Sequence, residues 1–150
     1  TGRDQLAQID KRIAGVLERH PDAALIRSLP GMGATLTAEF LAITGGIDRY
    51  PSGDQLAAAA GIAPVRRQSG KLSYLRRARA GDKALKRVFF QSAFIAVGCD
   101  ATSKAYYARK RAEKKTHQQA VLALARRRIN VLHAILRTRQ PYDHRDRPAA

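Results

Sequence analysis

One hydroxyl in this chain stands where phosphodiester chemistry would need it. Ser69 lies in the stretch Gly61-Ile62-Ala63-Pro64-Val65-Arg66-Arg67-Gln68-Ser69-Gly70-Lys71. Two arginines precede it, Gly70 follows it, and Lys71 comes next. Guanidinium groups hold phosphate oxygens bidentately, and an ammonium adds a point charge. Gly70 removes a side chain, so a nucleic-acid backbone can come close to the hydroxyl. A serine nucleophile for a phosphodiester is one reading of this pattern. A plain turn with solvated arginines is the other, and a motif this short decides nothing alone.

The rest of the chain supplies the electrostatic setting. There are 28 Lys+Arg against 12 Asp+Glu, a formal net charge of +16 on 150 residues. That exceeds what solubility requires and implies a polyanionic partner. Nucleic acid, DNA first, ranks ahead of an anionic membrane surface, because Trp is absent and no segment reads as an aromatic-rich amphipathic anchor. A chain with 45% hydrophobic residues at this length forms one domain with a real core. Cys99 is the only cysteine, which excludes an internal disulfide and a cysteine metal cluster. Its apolar neighbours predict a small core residue. No apolar run reaches the length of a membrane span and no signal peptide is visible, so a cytoplasmic protein without a membrane partner is expected. Thr1 falls inside a helical pattern, the expectation being a fragment of something longer.

The elements that must position Ser69 read as helices. Leu6, Ile9, Ile13, Val16 and Leu17 recur at helical spacing between Asp4 and Arg19. A short helix follows at 22–28, then Leu29-Pro30-Gly31-Met32-Gly33, then a helix from about Ala34 to Ile43. Helix, glycine turn and helix resemble a helix-hairpin-helix. Gly31 and Gly33 would permit the tight turn, and the N–H groups opening the second helix would bind a phosphate, with Thr35 or Thr37 adding a hydroxyl. A turn that merely packs is the rival reading.

Ser52 is the expected N-cap of a small-residue helix, Gln55 to Ala60, which Gly61 closes. Pro64 keeps Ala63 out of helical geometry, and 65–74 reads as loop or short hairpin. From Arg66 to Arg87 the cations Arg66, Arg67, Lys71, Arg76, Arg77, Arg79, Lys83, Lys86 and Arg87 surround one acid, Asp82. A run so one-sided argues for phosphate contacts.

Asp82 would cap a helix from Lys83 to Gly98 whose apolar face holds Leu85, Val88, Phe89, Ala93, Ile95 and Ala96. Another helix runs from Ala101 to Lys115 with a second basic cluster; one of Tyr106 and Tyr107 could stack on a base or bond a phosphate, a half-buried ring with a wet hydroxyl being the favoured reading. The last, Gln118 to Arg137, carries its core stripe on Val121, Leu122, Ala125, Ile129, Leu132 and Leu136. Arg126-Arg127-Arg128 spans too wide an arc to be wholly solvated. The fold class is therefore mostly α, a helical domain with a helix-hairpin-helix and a short basic loop or hairpin around Ser69. No carboxylate constellation, nucleotide loop or Rossmann fingerprint is present, and His117 and His133 are too far apart on one helix to share a metal.

Four ordered motifs carry a resemblance. Leu25-Ile-Arg-Ser-Leu-Pro-Gly-Met-Gly33, the Leu56 to Pro64 segment, Gln68-Ser69-Gly70-Lys71 and Ala120-Val-Leu-Ala-Leu-Ala-Arg-Arg-Arg128 together resemble the C-terminal transposase domain of the insertion-sequence family numbered one hundred and ten. That family includes the Piv/MooV-type DNA invertases and bridge-RNA-guided serine recombinases. The resemblance covers roughly residues 22 to 142. It implies that Ser69 attacks DNA to form a covalent phosphoserine. It also implies a partner RuvC-like domain whose four acids bind magnesium, a structured guide RNA, and a homo-oligomer, dimer or tetramer.

On this reading 1–20 is the end of a helical linker or coiled coil, 21–140 the transposase domain, and 141–150 a polar tail. The RuvC-like acids are not in this chain, so it would be inactive alone, with no cofactor or metal of its own. Many members carry Ile-Ser-Lys-x-Gly after the serine, where this chain has Arg77-Ala78-Arg79-Ala80-Gly81. The rival classes are a non-catalytic helix-hairpin-helix binding module and a basic RNA-binding structural protein.

Overall fold

The computed structural model describes residues 2–62 and 82–143. Ser69, Arg66, Arg67, Lys71, Arg76, Arg77 and Arg79, with the loop or hairpin expected around Ser69, lie outside the described residues, as does the tail from 144. Among the described residues there are seven helices and no strand. They are α1 (Gly2–Arg19), α2 (Ala23–Arg27), α3 (Ala34–Thr44), α4 (Gly53–Ala59), α5 (Lys83–Cys99), α6 (Ala101–Ala112) and α7 (His117–Thr138). The mostly helical expectation holds.

The last helix organises the others. In α7, Val121, Leu124, Ala125, Ile129, Leu132 and Leu136 recur every three or four residues, so they form one continuous buried stripe. α7 touches α2, α4, α5 and α6. Its start is set locally by a capping box: Gln119 N–H donates to Thr116 Oγ1 at 3.1 Å, and Thr116 N–H donates to Gln119 Oε1 at 2.9 Å. Its far end is tied down through Arg139, whose guanidinium pairs with the buried Asp22 carboxylate before α2.

α4 is built of small residues so that it can lie close to α7. A Cβ on Gly53 would come within 2.3 Å of Asn130 Oδ1, so only glycine fits that crossing unless Asn130 turns away. Ser52 caps this helix as expected, accepting from Gln55 N–H at 3.2 Å. Because a cap sits directly before the first helical residue, α4 begins at Gly53, two residues earlier than expected. α3 is joined to α5 by Phe40 and Phe89, whose rings meet edge to face at 5.8 Å.

α5 inverts one expectation. Leu85, Val88, Phe89, Ala93 and Ala96 are buried together with Ser92, whereas Ile95 is 50% exposed. Position 95 lies about 100° from 94 and 96, and the packed face is centred on 92 and 96. Cys99 is exposed rather than a core residue. It is the last residue of α5, where the chain turns away at the buried Asp100. That carboxylate caps α6 through Ser103 N–H (3.0 Å) and Ser103 Oγ (2.7 Å). α6 itself stops at Ala112, three residues short of expectation, with Lys114 in the left-handed region (φ 69°) and Lys115 N–H bonded back to Lys110 O.

α1 touches α2 and α3 but has no fully buried residue. Val16 and Leu17 lean on the core, while Leu6 and Ile9 are 63% and 48% exposed. Stability therefore resides in the α7 stripe. Leu132→Ala should cost about 2–5 kcal/mol of unfolding free energy, and Leu6→Ala less than about 0.5 kcal/mol, as read by urea denaturation.

Candidate nucleic-acid interface

The turn between α2 and α3 is held from below. Leu29 and Met32 are each 3% exposed and drive the turn into the core. Gly31 has φ +91°, and a Cβ there would lie 2.4 Å from the Ser92 carbonyl oxygen on α5. Backbone conformation and space both demand glycine. The Pro30 carbonyl just before it accepts from the Arg128 guanidinium of α7, which also donates to Ser92 Oγ at 2.7 Å.

Arg128 is only 6% exposed. Burial pulls its pKa down to about 10, with the Asp100 carboxylate acting in the opposite direction. At neutral pH it stays a cation. Since its folded pKa lies below its unfolded one, keeping that charge costs stability below about pH 10, and the cost fades as pH rises from there.

The other half of the turn faces outward. Gly33 is exposed, is the N-cap of α3 in extended backbone, and receives no side-chain cap. The α3 ladder starts with Thr37 N–H to Gly33 O at 2.9 Å. The N–H groups before that bond open on the exposed lip, where Thr35 also stands. Thr37, the other hydroxyl considered, is fully buried and its Oγ1 has no protein partner. Gly31 and Gly33 thus differ in placement: one packs on α5, the other borders solvent.

Lys83 is the exposed first residue of α5. Beside it, Asp82 accepts from Leu85 N–H at 2.9 Å and caps the helix as expected. Its own N–H donates to Ala59 O at 2.8 Å. That bond ties the start of α5 to the end of α4, so the two flanks of the segment carrying Ser69 are joined to each other.

The triple arginine of α7 is spent on structure. Arg126 pairs with Asp54 and donates to Asn130 Oδ1 at 2.8 Å, and Arg127 lies over the Tyr106 ring at 5.0 Å. Arg109 and Lys110 also approach that ring, at 5.1 and 5.4 Å. On α5, Arg87 pairs with Glu39 of α3 at 2.5 Å. The arc of Arg126-Arg127-Arg128 already required one of them to leave solvent, but not which one or what it meets; that one is Arg128. The available signal was Ser92, a polar residue inside an apolar stripe, which announces a buried partner.

Among the described residues no group of three or more His, Cys, Asp or Glu could hold a metal ion. No described helix is long and apolar enough to cross a membrane.

These features define a basic helical domain with an exposed glycine-turn helix start and a tied flank on each side of a Ser-Gly segment. Comparison with known proteins supplies its family. Residues 23–108 match the model of the IS116/IS110/IS902 transposase family, more than half of the chain, and the chain belongs to that family.

It is 48% identical over 140 residues to the insertion element IS900 uncharacterized 42 kDa protein of Mycobacterium paratuberculosis, covering 92% of this chain and 35% of that protein. It is 40% identical over 143 residues to the insertion element IS110 uncharacterized 43.6 kDa protein of Streptomyces coelicolor, covering 95% and 35%. The pilin gene-inverting protein of Moraxella lacunata is 27% identical over 150 residues, covering 95% and 46%. The chain spans about a third of the length of the first two relatives.

The contrast between the two glycines is measurable. Gly31→Ala should lose about 2–4 kcal/mol of stability, because positive φ and a backbone clash add. Gly33→Ala, with open space around it, should lose less than about 1 kcal/mol. A weakening of duplex binding in Gly33→Ala at unchanged fold would place DNA at the lip.

Proposed function

We propose that this chain is the DNA-binding and nucleophile-bearing domain of a transposase or site-specific recombinase, with Ser69 as the nucleophile. The observation that carries the reading is the family match over 23–108, a span that includes Ser69. The pilin gene-inverting relative supports a recombinase role.

In this reading Ser69 Oγ attacks the phosphorus of a DNA phosphodiester. A P–O bond to serine forms, the P–O bond to one deoxyribose oxygen breaks, and that oxygen leaves as a hydroxyl after taking a proton. Arg66, Arg67 and Lys71 neutralise the phosphate, while Arg76, Arg77, Arg79 and Lys83 extend the cationic track. A serine hydroxyl needs its proton removed. The acceptor would come from a RuvC-like domain elsewhere in the full protein. There magnesium, held by that domain's acids, would supply charge stabilisation.

The α2–α3 turn acts as a helix-hairpin-helix whose Gly33 and Thr35 lip holds a second phosphate without reading sequence, with Gly31 shaping the turn. A structured guide RNA and a homo-oligomer, dimer or tetramer, complete the working assembly.

The test is trapping. The full-length protein, with its RNA and magnesium, is mixed with labelled donor and target DNA and then denatured. A protein–DNA adduct is expected, absent in Ser69→Ala although that variant still binds DNA. A competent binding assay with no adduct from the wild type would overturn the nucleophile and leave a non-catalytic binding module built on the α3 lip.

A further inference from the structure

We infer that the outer corner of α5, α6 and α7 is a stacking platform for unpaired nucleobases of a DNA strand. None of its residues belongs to the Ser69 segment or to the α3 lip. This rests on the nucleic-acid reading above and adds to it a preference for single-stranded DNA.

Three aromatic rings meet there. Phe94 is 55% exposed on the solvent face of α5, and its ring meets His117 edge to face at 5.4 Å. His117, the first residue of α7, is 5.7 Å from the Tyr107 ring, and Tyr107 Oη lies 2.8 Å from its Nδ1. Arg111 donates to the same phenol oxygen at 3.4 Å. The histidine ring is therefore braced between phenylalanine and tyrosine, while the phenylalanine presents over half its surface to water. Ile95, the next residue, is 50% exposed as well, so the apolar side chains left open here are more than a lone surface residue.

The rim of the platform indicates what does. The cation that reaches the cluster is Arg111, at Tyr107 Oη, with Lys114 and Lys115 following in sequence just before His117; none of the three has an acidic partner among the described residues. The nearby acid in sequence, Glu113, is already engaged by Arg109 and Lys110. Aromatic faces bordered by uncompensated cations match a nucleic-acid strand, whose bases stack while its phosphates pair. A duplex hides its base faces and cannot use Phe94. A protein partner would be expected to bring acids to this rim, and it is an outcome of the test below.

The chain contains no tryptophan. Phe94→Trp therefore installs the one tryptophan of this chain, and its emission is read in the full protein as the difference from the parent. Titration with a 20-residue oligothymidylate should quench its emission, and a 20-base-pair duplex at matched salt should leave it nearly unchanged. Phe94→Ala should weaken oligothymidylate binding about tenfold and duplex binding by less than about twofold, since one base–aromatic stack is worth that much. Lys114→Gly should raise the thermal midpoint, because φ 69° suits glycine better than lysine. It should also weaken oligothymidylate binding, so a binding loss there cannot be ascribed to misfolding.

Absent quenching, or equal losses on single strand and duplex in Phe94→Ala, would overturn the platform. So would stronger quenching by oligouridylate, or a fall in assembly mass in Phe94→Ala, which would assign the corner to RNA or to protein contact. All readouts are repeated in Ser69→Ala. Quenching without any adduct from the wild type would retire the nucleophile and keep the platform. An adduct without quenching would do the reverse.

Discussion

Arg128 is the cation on which the arrangement of this domain depends. A guanidinium removed from water loses several kcal/mol of hydration and recovers it only when its donors are filled with good geometry. Here the Pro30 carbonyl and the Ser92 hydroxyl both accept from its Nη2, one from the α2–α3 turn and one from α5. The side chain thus joins three elements at one point. Gly31 completes the joint by leaving no Cβ between the turn and the α5 backbone. The outward lip of the turn, Gly33 and Thr35, is a consequence: it is what remains exposed once the inward half is pinned.

That joint belongs to a wider division of charge. With a net charge of +16, a chain of this size would repel itself unless cations were spread or absorbed. Arg126, Arg127, Arg128, Arg139 and Arg87 are absorbed: they reach Asp54, the Tyr106 face, Pro30 with Ser92, Asp22 and Glu39. Arginine suits this, since its planar fork fills several acceptors at once and it is less strongly hydrated than lysine. Lys83, Lys104, Lys114 and Lys115 remain exposed. These partnered arginines hold shape, and the lysines stay in solvent.

The helices were legible because their signals are local. The three-and-four spacing of apolar residues marks α5 and α7, Ser52 and Asp82 stand at N-caps, and Gly61 closes α4 with φ 70°. Errors arose where a neighbour decides. Ile95 is as apolar as Leu85, yet it points outward because the packed face of α5 is centred on Ser92, where Arg128 arrives. Cys99 sits in an apolar run, yet the helix ends there and nothing covers it. Thr37 and Thr35 are two residues apart on α3, and only the packing sends one inward.

The same line separates the two sources of the functional reading. Family membership, the Ser-Gly segment between cations and the basic balance all reside in residue type and order, so the sequence by itself determined them. Which arginines are available for phosphate, which glycine shapes the turn and which borders solvent, and the meeting of Phe94, Tyr107 and His117 were decided only in three dimensions. The reason is distance along the chain. Arg128 and Pro30 are 98 positions apart and Arg139 and Asp22 are 117 apart, and no local period or propensity reports a partner that far away.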